Sequence, residues 1–116
     1  MDSRIQTITI FMKENLTRRI TEKDLADRLT LAAQYFCRLF KSETGETPIH
    51  YLNQLRMKKA RELLESDEHA NLSIKQIAAR VGCSDMSHFV RDFENQFGLS
   101  PKRYRAAGRF GRNAKS

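Results

Sequence analysis

The chain has 116 residues, 40% of them hydrophobic and 30% charged, and no apolar run long enough to cross a bilayer, so it reads as one small globular domain or two very small ones. Its net charge of +7 is unevenly placed: residues 102–116 carry six bases (Lys102, Arg103, Arg105, Arg109, Arg112, Lys115) and no acid, which leaves the rest nearly neutral and suits a polyanion such as nucleic acid. Cys37 and Cys83 form no CxxC pair, His50, His69 and His88 have no metal-ligand spacing, and no phosphate loop or nucleophile motif is present, so the expectation is no enzyme, no metal, no cofactor and no membrane association.

The opening stretch, "RIQTITIFMKEN", places Ile5, Ile8, Phe11 and Met12 on one helical face, and its charges rule out a signal peptide. "ITEKDLADRL" follows, with Thr21 as N-cap, Asp24 at capping-box spacing, and Leu25, Ala26 and Leu29 on the apolar side. After the short turn "TLAA", "QYFCRLFKSE" buries Phe36, Leu39 and Phe40; Gly45 stops that helix and Pro48 starts the next. The 18 residues from Pro48 to Glu65 contain no internal breaker and carry Leu52, Leu55, Ala60, Leu63 and Leu64 on one broad side. "SIKQIAARV" is a further helix, Gly82 supplies the turn, Ser84 can cap, and "DMSHFVRDFENQF" buries Phe89, Phe93 and Phe97. "PKRYRAAG" is a short last helix, and a flexible basic tail is expected after it.

The chain repeats itself. "GETPIHY" at 45–51 returns as "GLSPKRY" at 98–104, and an offset of 53 also pairs Phe36 with Phe89, Arg38 with Arg91 and Phe40 with Phe93. Upstream the offset is 52, pairing Thr21 with Ser73, Leu25 with Ile77, Ala26 with Ala78 and Arg28 with Arg80, so the second copy holds one extra residue, expected in a turn. Each copy reads as two helices crossing closely over a small Ala, the packing of a helix-turn-helix. The predicted fold is all-α with about seven helices: residues 1–47 form an N-terminal helix and the first helix-turn-helix, 48–65 a linker helix, 66–107 the second helix-turn-helix and last helix, and 108–116 the tail.

A helix-turn-helix places its second helix in the major groove of DNA, and successive major grooves on one face lie ~34 Å apart. A linker of 18 residues spans ~27 Å, so one polypeptide would read two successive grooves, and two unlike units would read an asymmetric site. The candidate base-reading residues face away from the phenylalanines: Gln34, Cys37 and Arg38 in the first unit, Met86, Ser87 and Arg91 in the second. Candidate phosphate contacts are His50, Asn53, Lys102 and Arg103, where helices open, Arg28 and Arg80, which match across the repeat, and Lys41 and His88.

The stretches "LADRLTLAAQYFCRLFKSETGETPIHYLNQLRMKKARELL" and "SIKQIAARVGCSDMSHFVRDFENQFGLSPKRYR" resemble the DNA-binding domain of AraC/XylS-type bacterial transcription regulators, over about residues 3–106. The resemblance implies a monomeric double-stranded-DNA-binding unit, transcription activation, contact with RNA polymerase and a place in the bacterial cytoplasm. The two units leave no space for an effector-binding domain, so the expectation is either a small stand-alone activator or, as the resemblance favours, the C-terminal output part of a longer regulator. The sequence departs from the usual pattern at Thr30, where Gly would sit easily, at Ala32 and Ala33, where a capping Ser and a Pro are common, at Cys37, and at Glu94, which replaces a frequent Lys. The alternative is a protein-interaction or anti-regulator module that keeps the fold without specific DNA readout.

Overall fold

The computed structural model describes the backbone of residues 1–115 and the side chains of residues 1–108. Seven α-helices occur among them: α1 (Ser3–Glu14), α2 (Glu22–Arg28), α3 (Ala33–Thr44), α4 (Pro48–Glu65), α5 (Ile74–Arg80), α6 (Met86–Phe97) and α7 (Pro101–Lys115). A 3₁₀ turn at Asp67–His69, unmarked by any sequence signal above, follows α4. The described residues include no strand. The chain is an all-α protein of two helix-turn-helix units, as the sequence predicts.

Two compact units, Met1–Leu55 and Arg56–Ser116, divide inside α4, whereas the sequence pattern sets the whole helix apart as a linker. The reason is visible in what the helix buries. Leu52 belongs to the core of the first unit, with Ile5, Ile8, Met12, Leu25, Ala26, Phe36 and Phe40. Met57, Ala60, Leu63 and Leu64 belong to the second, with Ile77, Ala78, Val81, Phe89 and Phe93. Each phenylalanine taken fully out of water contributes ~1.5–3 kcal/mol, so the paired rings are the main hold on α3 and α6. In the first unit Phe36 lies 5.8 Å from Phe40, which meets Tyr51 edge-on at 5.3 Å. In the second, Phe93 meets Phe97 at 4.8 Å and Tyr104 at 5.6 Å.

The first helix of each unit opens with a reciprocal capping box: Thr21 with Asp24 for α2, Ser73 with Gln76 for α5. Each also ends in the same way. Leu31 N–H donates to the Ala26 carbonyl at 3.0 Å and Thr30 N–H to that of Asp27 at 3.1 Å; Cys83 N–H donates to Ala78 at 2.8 Å and Gly82 N–H to Ala79 at 3.1 Å. This pair of bonds is a Schellman motif, which requires a left-handed residue at its penultimate position. Gly82 meets that requirement at φ 85°, whereas in the first unit Thr30 is forced to φ 57°.

The equivalence of Leu31 with Cys83, and of Ala32 with Asp85 as the residue preceding each following helix, identifies the extra residue of the second copy as Ser84. By residue type Ser84 is the expected cap of α6; the cap is Asp85, whose carboxylate accepts from His88 N–H at 3.1 Å, because the inserted serine lies one residue too early. Both α3 and α6 end on a left-handed glycine, Gly45 and Gly98. The backbone of α7 continues past the expected end at Gly108 to Lys115, so the predicted tail is helical that far; its side chains from residue 109, and Ser116, lie outside the described residues.

Candidate nucleic-acid interface

The burial of Phe36 and Phe40 on one side of α3 fixes which residues face outward. Gln34, Arg38 and Lys41 are exposed there, and so is Tyr35, at 44% of its surface. Tyr35 is not among the sequence candidates; its spacing of three residues from Arg38 is the signal that places it on the same side. Cys37 is placed differently from Gln34 and Arg38. It is half-buried against the core of the first unit, and its thiol donates to the Glu22 carboxylate at 2.8 Å. Burial, reinforced by Glu22, pushes the thiol up to about 11, so it stays protonated and its hydrogen is engaged within the protein.

On α6 the same logic exposes Ser87, His88 and Arg91, with Glu94 and Asn95 further along. Met86 and Val90 are half-buried at the edge of the core. Met86, Ser87, Val90, Arg91, Glu94 and Asn95 line one open depression, so apolar, hydroxyl, guanidinium and amide groups present themselves together. The Arg91 guanidinium lies 3.9 Å from Asp92 and stays largely solvated. Asp85, whose carboxylate takes the His88 N–H, is held below the usual carboxylate range by that bond, so the start of α6 carries a fixed negative charge.

The candidate phosphate contacts fall into several settings. Arg28 stacks its guanidinium on the Phe11 ring, 3.8 Å from the centroid, and Arg18 approaches the same ring at 5.7 Å. Arg80, the equivalent of Arg28 in the repeat, is exposed. His50 is exposed at the start of α4 and pairs with the Glu46 carboxylate, while Asn53 is half-buried one turn later. Lys102 and Arg103 are exposed in the first turn of α7, which Ser100 caps by accepting from Arg103 N–H at 3.2 Å. Beyond that turn, Tyr104 bonds the Glu65 carboxylate and Arg105 donates to the Leu72 carbonyl at 2.6 Å, fixing α7 within the second unit. At both helix starts a hydroxyl takes one backbone N–H, Thr47 that of His50 in α4 and Ser100 that of Arg103 in α7.

Among the described residues no cluster of histidine, cysteine or acids could hold a metal ion, and no helix is long and apolar enough to cross a membrane.

Comparison with known proteins gives this surface its context. A family model described as a helix-turn-helix domain matches residues 25–107. The transcriptional activator RhaS of Escherichia fergusonii is 35% identical over 104 residues, 90% of this chain and 36% of that protein. RhaS of Escherichia coli is 36% identical over 100 residues, 86% of this chain and 35% of that protein. The chain thus spans about a third of the length of these relatives. Among solved structures, the DNA-binding domain of the transcription factor AdpA, determined in complex with a target DNA, superposes with a TM-score of 0.87 at 30% identity, over 95% of this chain and 96% of that one. The C-terminal domain of AraT, a response regulator from Geobacillus stearothermophilus, gives 0.83 at 31% identity, over 91% and 86%. These relatives are transcription regulators and not enzymes. With its duplicated helix-turn-helix and its match over most of its length, the chain belongs to the AraC/XylS-type family of DNA-binding transcription regulator domains.

Proposed function

We propose that this domain reads an asymmetric promoter site by placing α3 and α6 in successive major grooves of double-stranded DNA, and that it activates transcription there through contact with RNA polymerase. The observation that carries the reading is the pair Arg38 and Arg91. They occupy equivalent positions of the repeat, both are exposed, and both lie on the side of their helix opposite the buried phenylalanines. An arginine so placed can pair bidentately with guanine O6 and N7. Gln34 in the first unit and Ser87 and Met86 in the second supply further contacts, to adenine and to a thymine methyl. Cys37 contributes to the first half-site at most through its sulfur surface, since its hydrogen is given to Glu22. Arg28, Lys41, His50, Asn53, Arg80, His88, Lys102 and Arg103 supply phosphate contacts that set register.

The DNA-bound AdpA domain supports the binding mode, and the activator RhaS supports the direction of regulation. The unbroken 18-residue α4 supports a single chain carrying both readers, acting as a monomer on DNA. Selection from random 30-base-pair duplexes tests this. The expected result is one asymmetric motif with two informative blocks about one helical turn apart. A chain that yields no motif, and whose binding decays equally on all sequences with added salt, binds phosphates alone, and the reading fails.

A further inference from the structure

The helix before the first recognition helix carries three acids, and two of them serve that helix alone. Asp24 closes the capping box by accepting the Thr21 N–H at 2.9 Å, and Asp27 takes the Lys23 ammonium at 2.8 Å. Glu22, the first residue of α2, reaches out of it. Its Oε2 accepts the Cys37 thiol of α3 at 2.8 Å, across fifteen residues of chain. Glu22 is exposed, and among the described residues no lysine or arginine pairs with it.

Cys37 is the half-buried member of the row Gln34, Cys37, Arg38 and Lys41, spaced i, i+3, i+4 and i+7 along α3. A carboxylate held at that sulfur therefore stands in the row that holds Gln34 and Arg38. The second unit has an apolar pair instead. Its equivalents in the repeat are Ile74 for Glu22 and Val90 for Cys37, and both pack against the core of that unit. Two apolar residues serve the packing of a helix-turn-helix at these places, so packing does not call for a charge.

We infer that Glu22 is a specificity-determining residue of the first half-site: its carboxylate, aimed by the Cys37 thiol, accepts the N4 amino group of a cytosine near the guanine read by Arg38. An ionised carboxylate offers only acceptors. In the major groove cytosine presents only a donor, whereas adenine adds an acceptor and guanine and thymine present acceptors. Oε2 takes the thiol hydrogen, which leaves Oε1 for the base. The negative charge is repelled by the phosphates of every sequence and is compensated only where an amino group meets it, so it sharpens discrimination more than affinity. The inference rests on the proposal above that α3 reads the first half-site.

The test measures binding of the full chain to every single-base variant of the selected duplex, before and after substitution. Glu22→Gln is expected to lower the preference for cytosine at one position of the first block about tenfold, in favour of adenine, with the second block unchanged. Cys37→Ser still donates to the carboxylate and should keep the preference. Glu22→Ile combined with Cys37→Val copies the pair of the second unit and guards against a mere failure to fold; it should keep the guanine preference of Arg38 and lose that for cytosine. A duplex with 2-pyrimidinone, which lacks the 4-amino group, in place of that cytosine should weaken binding of the parent about tenfold more than that of Glu22→Gln.

Unchanged preferences in Glu22→Gln, or a uniform gain of affinity on all sequences, would overturn the inference, the second because it makes Glu22 only a repeller of phosphates. A loss in Cys37→Ser as large as in Glu22→Gln would make the sulfur the reader and overturn it too, as would a cytosine preference restored by the apolar pair. Arg38→Ala, run alongside, separates the two claims. If it leaves the first block intact, the reading by α3 fails and this inference with it; if it flattens its guanine while Glu22→Gln changes nothing, this inference alone fails.

Discussion

The two helix-turn-helix units close their first helix with the same pair of backbone hydrogen bonds and then differ at the residue that pair demands. The second unit has Gly82 there and follows it with an acidic cap on α6; the first has Thr30 and an uncapped α3. A β-branched residue in the left-handed region is strained, and a missing cap leaves helix N–H groups without a side-chain acceptor. The shared backbone bonds therefore define the motif, while the side chains decide how firmly each copy is held. The second unit is locally consistent. In the first, the start of α3 has neither support, and the helix is held by Phe36 and Phe40 in one core with Ile5, Ile8 and Met12 of α1.

That contrast can be broken or sharpened by substitution. The largest effect is expected in the cores, where Phe40→Ala and Phe93→Ala should each cost ~3–5 kcal/mol. Residue-resolved denaturation should show the damage centred on the unit that holds the ring; an equal loss in both units would mean that they fold as one. Next come the turns. Gly82→Thr should destabilise the second unit by ~1–2 kcal/mol, by importing the strain of Thr30. Thr30→Gly should stabilise the first by ~1 kcal/mol, read as a shift of the urea midpoint at constant slope. Ala32→Ser should add ~0.5–1 kcal/mol to the first unit by capping α3. If the two turn exchanges move stability in the same direction, the strain at Thr30 is relieved in some other way.

The smallest effect is a pH dependence that falls on different helices in the two units. In the first, the box of α2 uses Asp24, whose carboxyl is lowered chiefly by the backbone N–H of Thr21; in the second, the box of α5 uses Gln76, which does not titrate. The acid of the second unit is Asp85 on α6, lowered by His88 N–H. A carboxyl with a depressed folded pKa contributes stability that is fully present above its ordinary value of ~3.9 and is lost as pH falls through the folded value. Acidification should therefore lower amide protection, relative to an unfolded chain at the same pH, at the starts of α2 and α6 and leave the protection at the start of α5 unchanged. Asp24→Asn should remove the response at α2 alone.

Much of this architecture is legible in the residues themselves. The offset of 53 between the copies locates both recognition helices, and the capping spacing Thr21–Asp24 marks the start of α2. Thr30 and Ala32 stand out as departures from the pattern of the family that the chain resembles. What stays hidden depends on contacts distant in sequence or on competition between signals. Cys37 looks like an outward residue by periodicity, but it is half-buried and its thiol donates to Glu22, fifteen residues earlier. Ser84 is a good cap by type, and only the hydrogen bonds of the turn reveal it as the inserted residue, with Asp85 in the capping place. The division inside α4 shows in Met57, which the leucine-based reading left out although it lies three residues before Ala60 and seven before Leu64, and which is fully buried in the second unit. Gly108 looks like a helix stop, yet the backbone of α7 passes through it.

The central claim is that each unit reads its own half of one site. It is tested most directly by measuring binding of the full chain, Arg38→Ala and Arg91→Ala to every single-base variant of the selected duplex. Each variant is expected to flatten one block by roughly 1–3 kcal/mol at the guanine it contacts and to leave the other block as in the parent. Loss of discrimination in both blocks from either variant, or in neither, would contradict it.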